Sequence, residues 1–236
     1  ALILAAGRGR RLGERELPEL GPGMLELRVD AAGVGLPDVL MVRGNYPAVR
    51  QPPVTPGQEI AGTVTAVGPG CARRVGEQVI SSTRFAEGMG GFAERCQVRE
   101  SSTFRRPDGM SAEEAAGFWV PFHTGYVGVI QRGQLQPGET MLVLGGAGSS
   151  GSAAIQLGKA VGATVIATVS SADKADFCRS LGADHVINYR DRPINEAVAD
   201  IVARRARTSF SAAELSAYAL QALRLPPGNV RRVGLP

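Results

Sequence analysis

The sequence predicts an α/β protein in two parts, a β-rich region followed by a doubly wound parallel sheet. Three observations carry that expectation. Up to about residue 105, short apolar runs are separated by turns bearing glycine and proline. From Ser111 the texture changes to strands alternating with helical segments, the pattern of a parallel sheet. Within that second part, "MLVLGGAGSSG" passes from a buried strand to a helix through glycines. A chain of 236 residues, 44% of them apolar, has material for two cores.

The elements follow in order. "MLELRVDAAGV", "EIAGTVTAVG" and "RVGEQVISS" read as strands, the second alternating well enough to be half-buried and antiparallel. "PDVLMVRG" reads as a helix with Pro37 in its first turn. "SAEEAAGFWVPFHTGYVGVI" opens on a capping box, with Ser111 as N-cap and Glu114 three residues on. Then come strand, glycine turn, helix and strand through "GETMLVLGGAGSSGSAAIQLGKAVGATVIATVSS", and a helix and third strand in "ADKADFCRSLGADHVINY". That is a βαβαβ unit whose parallel strands are buried on both faces. "INEAVADIVARRA" reads as a further helix.

Composition excludes several classes. The net charge of +4 comes almost wholly from scattered arginines, since Lys159 and Lys174 are the only lysines, and no aromatic-interleaved basic stripe points to nucleic acid. Cys71, Cys96 and Cys178 are odd in number and widely spaced, without a CxxC, which argues for a reducing compartment and against a disulfide framework or zinc lobe. No run reaches the ~18 apolar residues of a membrane span. The expectation is a soluble, cytoplasmic protein.

Gly146, Ala147, Gly148, Ser149, Ser150 and Gly151 form a GxGxxG turn in the strand–turn–helix context that gives this short motif its meaning. The first glycine is expected to permit the tight turn, the second to let backbone approach a pyrophosphate, and the third to pack helix against strand. The helix N-terminus then offers free N–H groups and a partial positive charge to the phosphates. An NAD site would carry an acid at the tip of the next strand. Here stand Ser170 and Ser171, with Lys174 soon after, a set suited to the 2′-phosphate of NADPH. Ser171 also suits the N-cap of the helix that follows.

The ordered series "VDAAGVGLPDVLMVRGNYP", "VTPGQEIAGTVTAVGPG", "GGFAE", the glycine-turn segment and "LGADHVINYRD" resembles the medium-chain dehydrogenase/reductase superfamily, and within it the zinc-free NADPH:quinone oxidoreductase branch. The resemblance runs from residue 1 to about Asp191. It implies a GroES-like β-rich catalytic domain over 1–110, a Rossmann NADP-binding domain over 111–205, and a closing segment over 206–236 returning to the first domain. It also implies a homodimer. The opening "ALILAAGRGRRLG" is similar to the entry loop of the sugar nucleotidyltransferases, but that pattern expects a lysine after its proline, where Pro18 is followed by Glu19. The opening is read as strand and turn.

In the zinc-dependent branch a cysteine and a histidine stand where this chain has Gly35 and Gln58, so no catalytic metal is expected. Hydride from NADPH would then go to an already electrophilic acceptor, a quinone or an enone. Asp38 and Tyr46 match an Asp and a Tyr of the quinone-reductase pocket, with Tyr46 the proton donor to a carbonyl oxygen. Tyr46 corresponds to the second of two tyrosines in that pocket; Gly35 replaces its Asn and Leu40 its first Tyr, leaving a less polar pocket. Thr124 matches a threonine near the nicotinamide phosphate, and Tyr189 a residue near the 2′-phosphate. His123, His185 and Cys178 are read as structural.

Three further strands with their crossovers need on the order of 90 residues, and only about half that many follow Tyr189. An internal gap near 191–206 is expected. Two alternatives accompany the reductase: an inactive or sensor-type NADP-binding relative, and an enoyl reductase acting on acyl thioesters.

Overall fold

The computed structural model describes residues 16–47, 54–209 and 230–232, with backbone alone for 204–209 and 230–232. The opening glycine–arginine stretch and most of 206–236 lie outside them. The chain forms two compact units, Ala1–Val120 and Pro121–Pro236.

In the first unit, β1 (Met24–Ala32), α1 (Leu36–Val42), β2 (Glu59–Val67), β3 (Gln78–Ser82), β4 (Arg95–Arg99), β5 (Thr103–Arg105) and α2 (Ala112–Ala116) follow in order. The five strands make an antiparallel sheet in the order β4-β1-β2-β3-β5. Alternation drives it. Leu25 and Leu27 point inward from β1 and meet Ile60, Val64, Val79, Cys96 and Val98, while Glu26 and Arg28 face outward. Ser111 caps α2 as the capping box predicts, its hydroxyl accepting from the Glu114 amide. Ala115 and Ala116 pack on Ala61 and Ile80 of the sheet. That contact holds α2 in the first unit, so the chain divides between Val120 and Pro121, later than the change of texture at 111.

α3 (Trp119–Tyr126) runs into a π-helical stretch, Val127–Arg132. β6 (Thr140–Val143), α4 (Ser149–Val161), β7 (Thr164–Val169), α5 (Ala172–Ser180), β8 (His185–Asn188), α6 (Ile194–Ser209) and β9 (Val230–Arg232) complete the described second unit. Its sheet is parallel, ordered β8-β7-β6-β9. Both faces are covered, as the apolar strands require. Met141, Val143, Val165, Ala167 and Val169 face Ile155 and Cys178 on one side; Ile166 and Ile187 face Ala197 on the other.

One expectation is corrected. The closing strand was to return to the first domain, but β9 pairs with β6. The central strand of a parallel sheet has two edges to satisfy, and β9 takes the one that β7 leaves. Winding therefore reverses about β6, which makes its C-terminal end a topological switch point.

Candidate functional site

β6 ends at the glycine turn. The left-handed backbone sits at Gly145 (φ 68°), not at Gly146, to which the sequence reading gave the tight turn. Gly146 is buried instead; a Cβ there would lie 2.8 Å from Ala167 Cβ and 3.0 Å from Cys178 Sγ. The turn is held from the neighbouring strand: the Gly145 amide donates to Thr168 Oγ1 (3.1 Å) and the Gly146 amide to the Thr168 carbonyl (2.9 Å). Gly151 brings the first turn of α4 against the loop, where a Cβ would collide with the Gly145 carbonyl.

Gly148 is the exposed N-cap of α4 and has no side chain to answer the helix amides. Beside it stand Ala147, Ser149 and Ser150. With no capping side chain, the first-turn amides of Ser149, Ser150 and Gly151 face outward from the end of a 13-residue helix, an arrangement that accepts a diphosphate. Thr124 stands on α3. Its neighbour Gly125 is buried against α4, a Cβ there lying 3.0 Å from Leu157 Cδ1 and 3.5 Å from Ala153 Cβ.

The ends of β7 and β8 collect the remaining nucleotide candidates. Lys174 Nζ donates to Ser170 Oγ at 3.3 Å, and Ser171 Oγ accepts the Lys174 amide as N-cap of α5. Asn188 is in register with Val169, and the Tyr189 amide donates to the Val169 carbonyl at 3.0 Å. This sets Tyr189, 47% exposed, beside the serine pair.

The first unit holds a second cluster. Asp38 is buried (2% exposed), and both its oxygens accept backbone amides, Oδ2 from Gly35 (2.8 Å) and Oδ1 from Gly57 (2.9 Å). The carboxylate clips the start of α1 to the loop before β2. The Tyr46 hydroxyl accepts from Gln58 Nε2 at 3.4 Å, an arrangement that leaves its own proton available. Glu59, 7% exposed, accepts the Val120 amide at 2.7 Å. Burial pushes its carboxyl up to about 7, against the lowering effect of the Val120 amide and with a further push from the Asp38 charge.

Gly35 has no donor, the Gln58 amide is turned to Tyr46, and no group of three His, Cys, Asp or Glu side chains among the described residues could hold an ion. Cys71, Cys96 and Cys178 are unpaired, and burial raises the Cys96 thiol to about 12, so it stays protonated. His185 is exposed on its strand and Cys178 lies in the core. No described helix is long and apolar enough to cross a membrane.

Sequence reasoning missed Gly145, Thr168 and Glu59. The Gly-Gly doublet and a hydroxyl and a carboxylate in otherwise apolar strand runs were the available signals.

Residues 21–108 match the family described as alcohol dehydrogenase GroES-like domain, and residues 151–235 the family described as zinc-binding dehydrogenase. The mouse synaptic vesicle membrane protein VAT-1 homolog is 38% identical over 173 residues, 73% of this chain and 42% of that protein. A probable quinone oxidoreductase of Leishmania amazonensis is 38% identical over 191 residues, 77% of this chain and 52% of its own length. The crystal structure of Escherichia coli quinone oxidoreductase complexed with NADPH superposes with a TM-score of 0.70 at 28% identity, covering 80% of this chain and 57% of that one. The chain thus spans about half the length of the curated relatives it matches. With a GroES-like antiparallel unit, a glycine turn at the switch point of a parallel sheet, and relatives that carry both, the chain belongs to the medium-chain dehydrogenase/reductase superfamily.

Proposed function

We propose that this protein is an NADPH-dependent, zinc-independent oxidoreductase that delivers hydride to a quinone or an α,β-unsaturated carbonyl compound. The observation that carries the reading is the pairing of an uncapped helix end behind the glycine turn with the Ser170–Lys174 pair at the tip of β7. The amides of Ser149, Ser150 and Gly151 hold the diphosphate bridge. Ser170, Ser171, Lys174 and Tyr189 hold the 2′-phosphate, where a point cation is worth most. Thr124 reaches the phosphate on the nicotinamide side. The bound coenzyme supplies the hydride.

Tyr46 serves as the proton donor to the carbonyl oxygen, with Gln58 fixing its hydroxyl from the acceptor side. Asp38 acts through the backbone, holding Gly35 and Gly57 in place, and so is a positioning residue. Without a Lewis acid to polarise an alcohol, the chemistry suits acceptors that are already electrophilic. In this reading the first unit is the catalytic domain and the second the coenzyme domain, and the working form is a dimer.

Calorimetry with NADPH, followed by NADPH oxidation assays with a small quinone and with crotonyl-CoA, tests the proposal. Quinone turnover supports it. Turnover of the thioester alone identifies an enoyl reductase instead, and binding without either turnover a sensor. Absence of any binding heat overturns the coenzyme site itself.

A further inference from the structure

The chemistry above gives Tyr46 a proton to deliver, yet Gln58 meets its hydroxyl at 3.4 Å, too long a bond to hold a phenol by itself. A second contact comes from the same unit. The rings of Phe85 and Tyr46 lie with centroids 6.2 Å apart and planes inclined at 55°, inside the range of attractive tilted pairs. Phe85 is half-buried and opens a single 3₁₀ turn, Phe85–Glu87, between β3 and β4.

That turn is a firm mount. It closes on Gly88, whose φ of 74° is left-handed backbone that a side chain would strain. The Gly88 carbonyl accepts the Thr55 amide at 3.0 Å, and the Gly90 amide donates to the Thr55 carbonyl at 2.8 Å. The Thr83 amide donates to the Gln58 carbonyl at 2.9 Å, and the Thr83 hydroxyl to the Gly57 carbonyl. Glu87 accepts from Arg84 and, at 2.8 Å, from Arg99 of β4. The turn that carries Phe85 and the segment that carries Gln58 are thus stitched together, and Tyr46 rests on the pair by its ring and by its hydroxyl.

We infer that Phe85 is a positioning residue for the proton transfer, its ring holding the Tyr46 phenol so that Gln58 occupies one side of the oxygen and the O–H proton stays free for an acceptor. A phenol held at its oxygen alone pivots about that point; a contact on the ring removes the swing, and small misplacements of a reacting group are costly. The part that concerns turnover rests on the reading of Tyr46 as proton donor; the docking of the two rings does not.

The Gln58 side-chain amide reports the docking. In 15N NMR of the full chain, Phe85→Leu is expected to shift this resonance toward its position in Tyr46→Phe, and to have no effect on it once Tyr46→Phe is present. Phe85→Tyr, which keeps the aromatic face, should leave it near the wild-type position. Gly88→Ala, which strains the turn and spares both rings, should move it in the same direction as Phe85→Leu. Turnover gives a second readout. Phe85→Leu should lower kcat with a small quinone about three- to tenfold, the worth of one aromatic contact, and leave the KM for NADPH unchanged. In the Tyr46→Phe background the same substitution should cost nothing further, because no hydroxyl remains to be aimed. An equal loss in both backgrounds, or a Gln58 resonance unmoved in both Phe85→Leu and Gly88→Ala, overturns the inference. Should the chain reduce no quinone at all, the reading of Tyr46 fails, while the amide resonance still decides whether Phe85 sets the phenol.

Discussion

At the scale of single residues, Lys174 and Glu59 make opposite demands on charge. Lys174 is exposed, and its ammonium donates to Ser170 Oγ. Lys174→Ala is expected to weaken NADPH about tenfold and leave NADH unchanged, one charge-assisted contact to a phosphate; titration calorimetry with both coenzymes checks it. Glu59 bears on stability. Its carboxyl is raised from 4.5 to about 7, so the folded chain holds a proton that the unfolded chain releases between those values, and stability falls as pH rises across that window. Glu59→Gln abolishes this titration. Between pH 4.5 and 8 the variant should gain on the wild type by up to about 3 kcal/mol in urea melts. The sequence made the GxGxxG spacing and the Ser170–Lys174 set legible, because both are local. It did not reveal which glycine carries the left-handed bend, because Gly146 is small for a different reason: Cys178, 32 positions away in a distant helix, fills the space where its side chain would be.

At the scale of elements, the turn and its neighbours are held by contacts between segments far apart in sequence. Lys159 of α4 donates to both oxygens of Asp184 at 2.8 Å, and Asp184 also accepts the Val165 amide of β7 at 2.7 Å. Burial pushes the Asp184 carboxyl up, but Lys159, the Val165 amide and His185 outweigh it and the net shift is downward. Asp184→Ala should cost about 1–2 kcal/mol of the second unit's stability at pH 7, the worth of charge-assisted hydrogen bonds at a half-exposed site. Because its carboxyl is held below its ordinary value, that contribution fades as the pH falls through the acid range. Gly146→Ala meets Ala167, Cys178 and Ile155 at once and should destabilise the unit by about 1–3 kcal/mol in thermal melts. Strand and helix types followed from periodicity and caps, from Ser111 through Ser171. The partner of β9 did not, since a three-residue strand carries no pattern that selects one sheet edge over another.

At the scale of the whole molecule, a change of texture marks two units in the sequence, and the ordered motif series points to the superfamily. Where the chain divides was less visible: α2 has helical caps like the second part but buries Ala115 and Ala116 on the first sheet. The described second sheet has four strands where the superfamily pattern leads one to expect six, in a chain about half the length of its curated relatives. The switch point survives that difference, because β9 occupies the free side of β6. NADPH is accordingly expected to slow amide exchange in residues 145–152, 168–175 and 188–190 and to leave β3 and β5 unaltered, an outcome that exchange mass spectrometry with and without coenzyme resolves.

The buried hydroxyl of Thr168 has a last implication. By answering the bend's amide from an adjacent strand, it helps hold the glycine turn in one shape; under the proposed coenzyme reading, that leaves less entropy to be lost on docking. The isosteric Thr168→Val would keep the shape of the strand and remove that anchor, turning a preorganised cradle into one that each incoming coenzyme must first assemble.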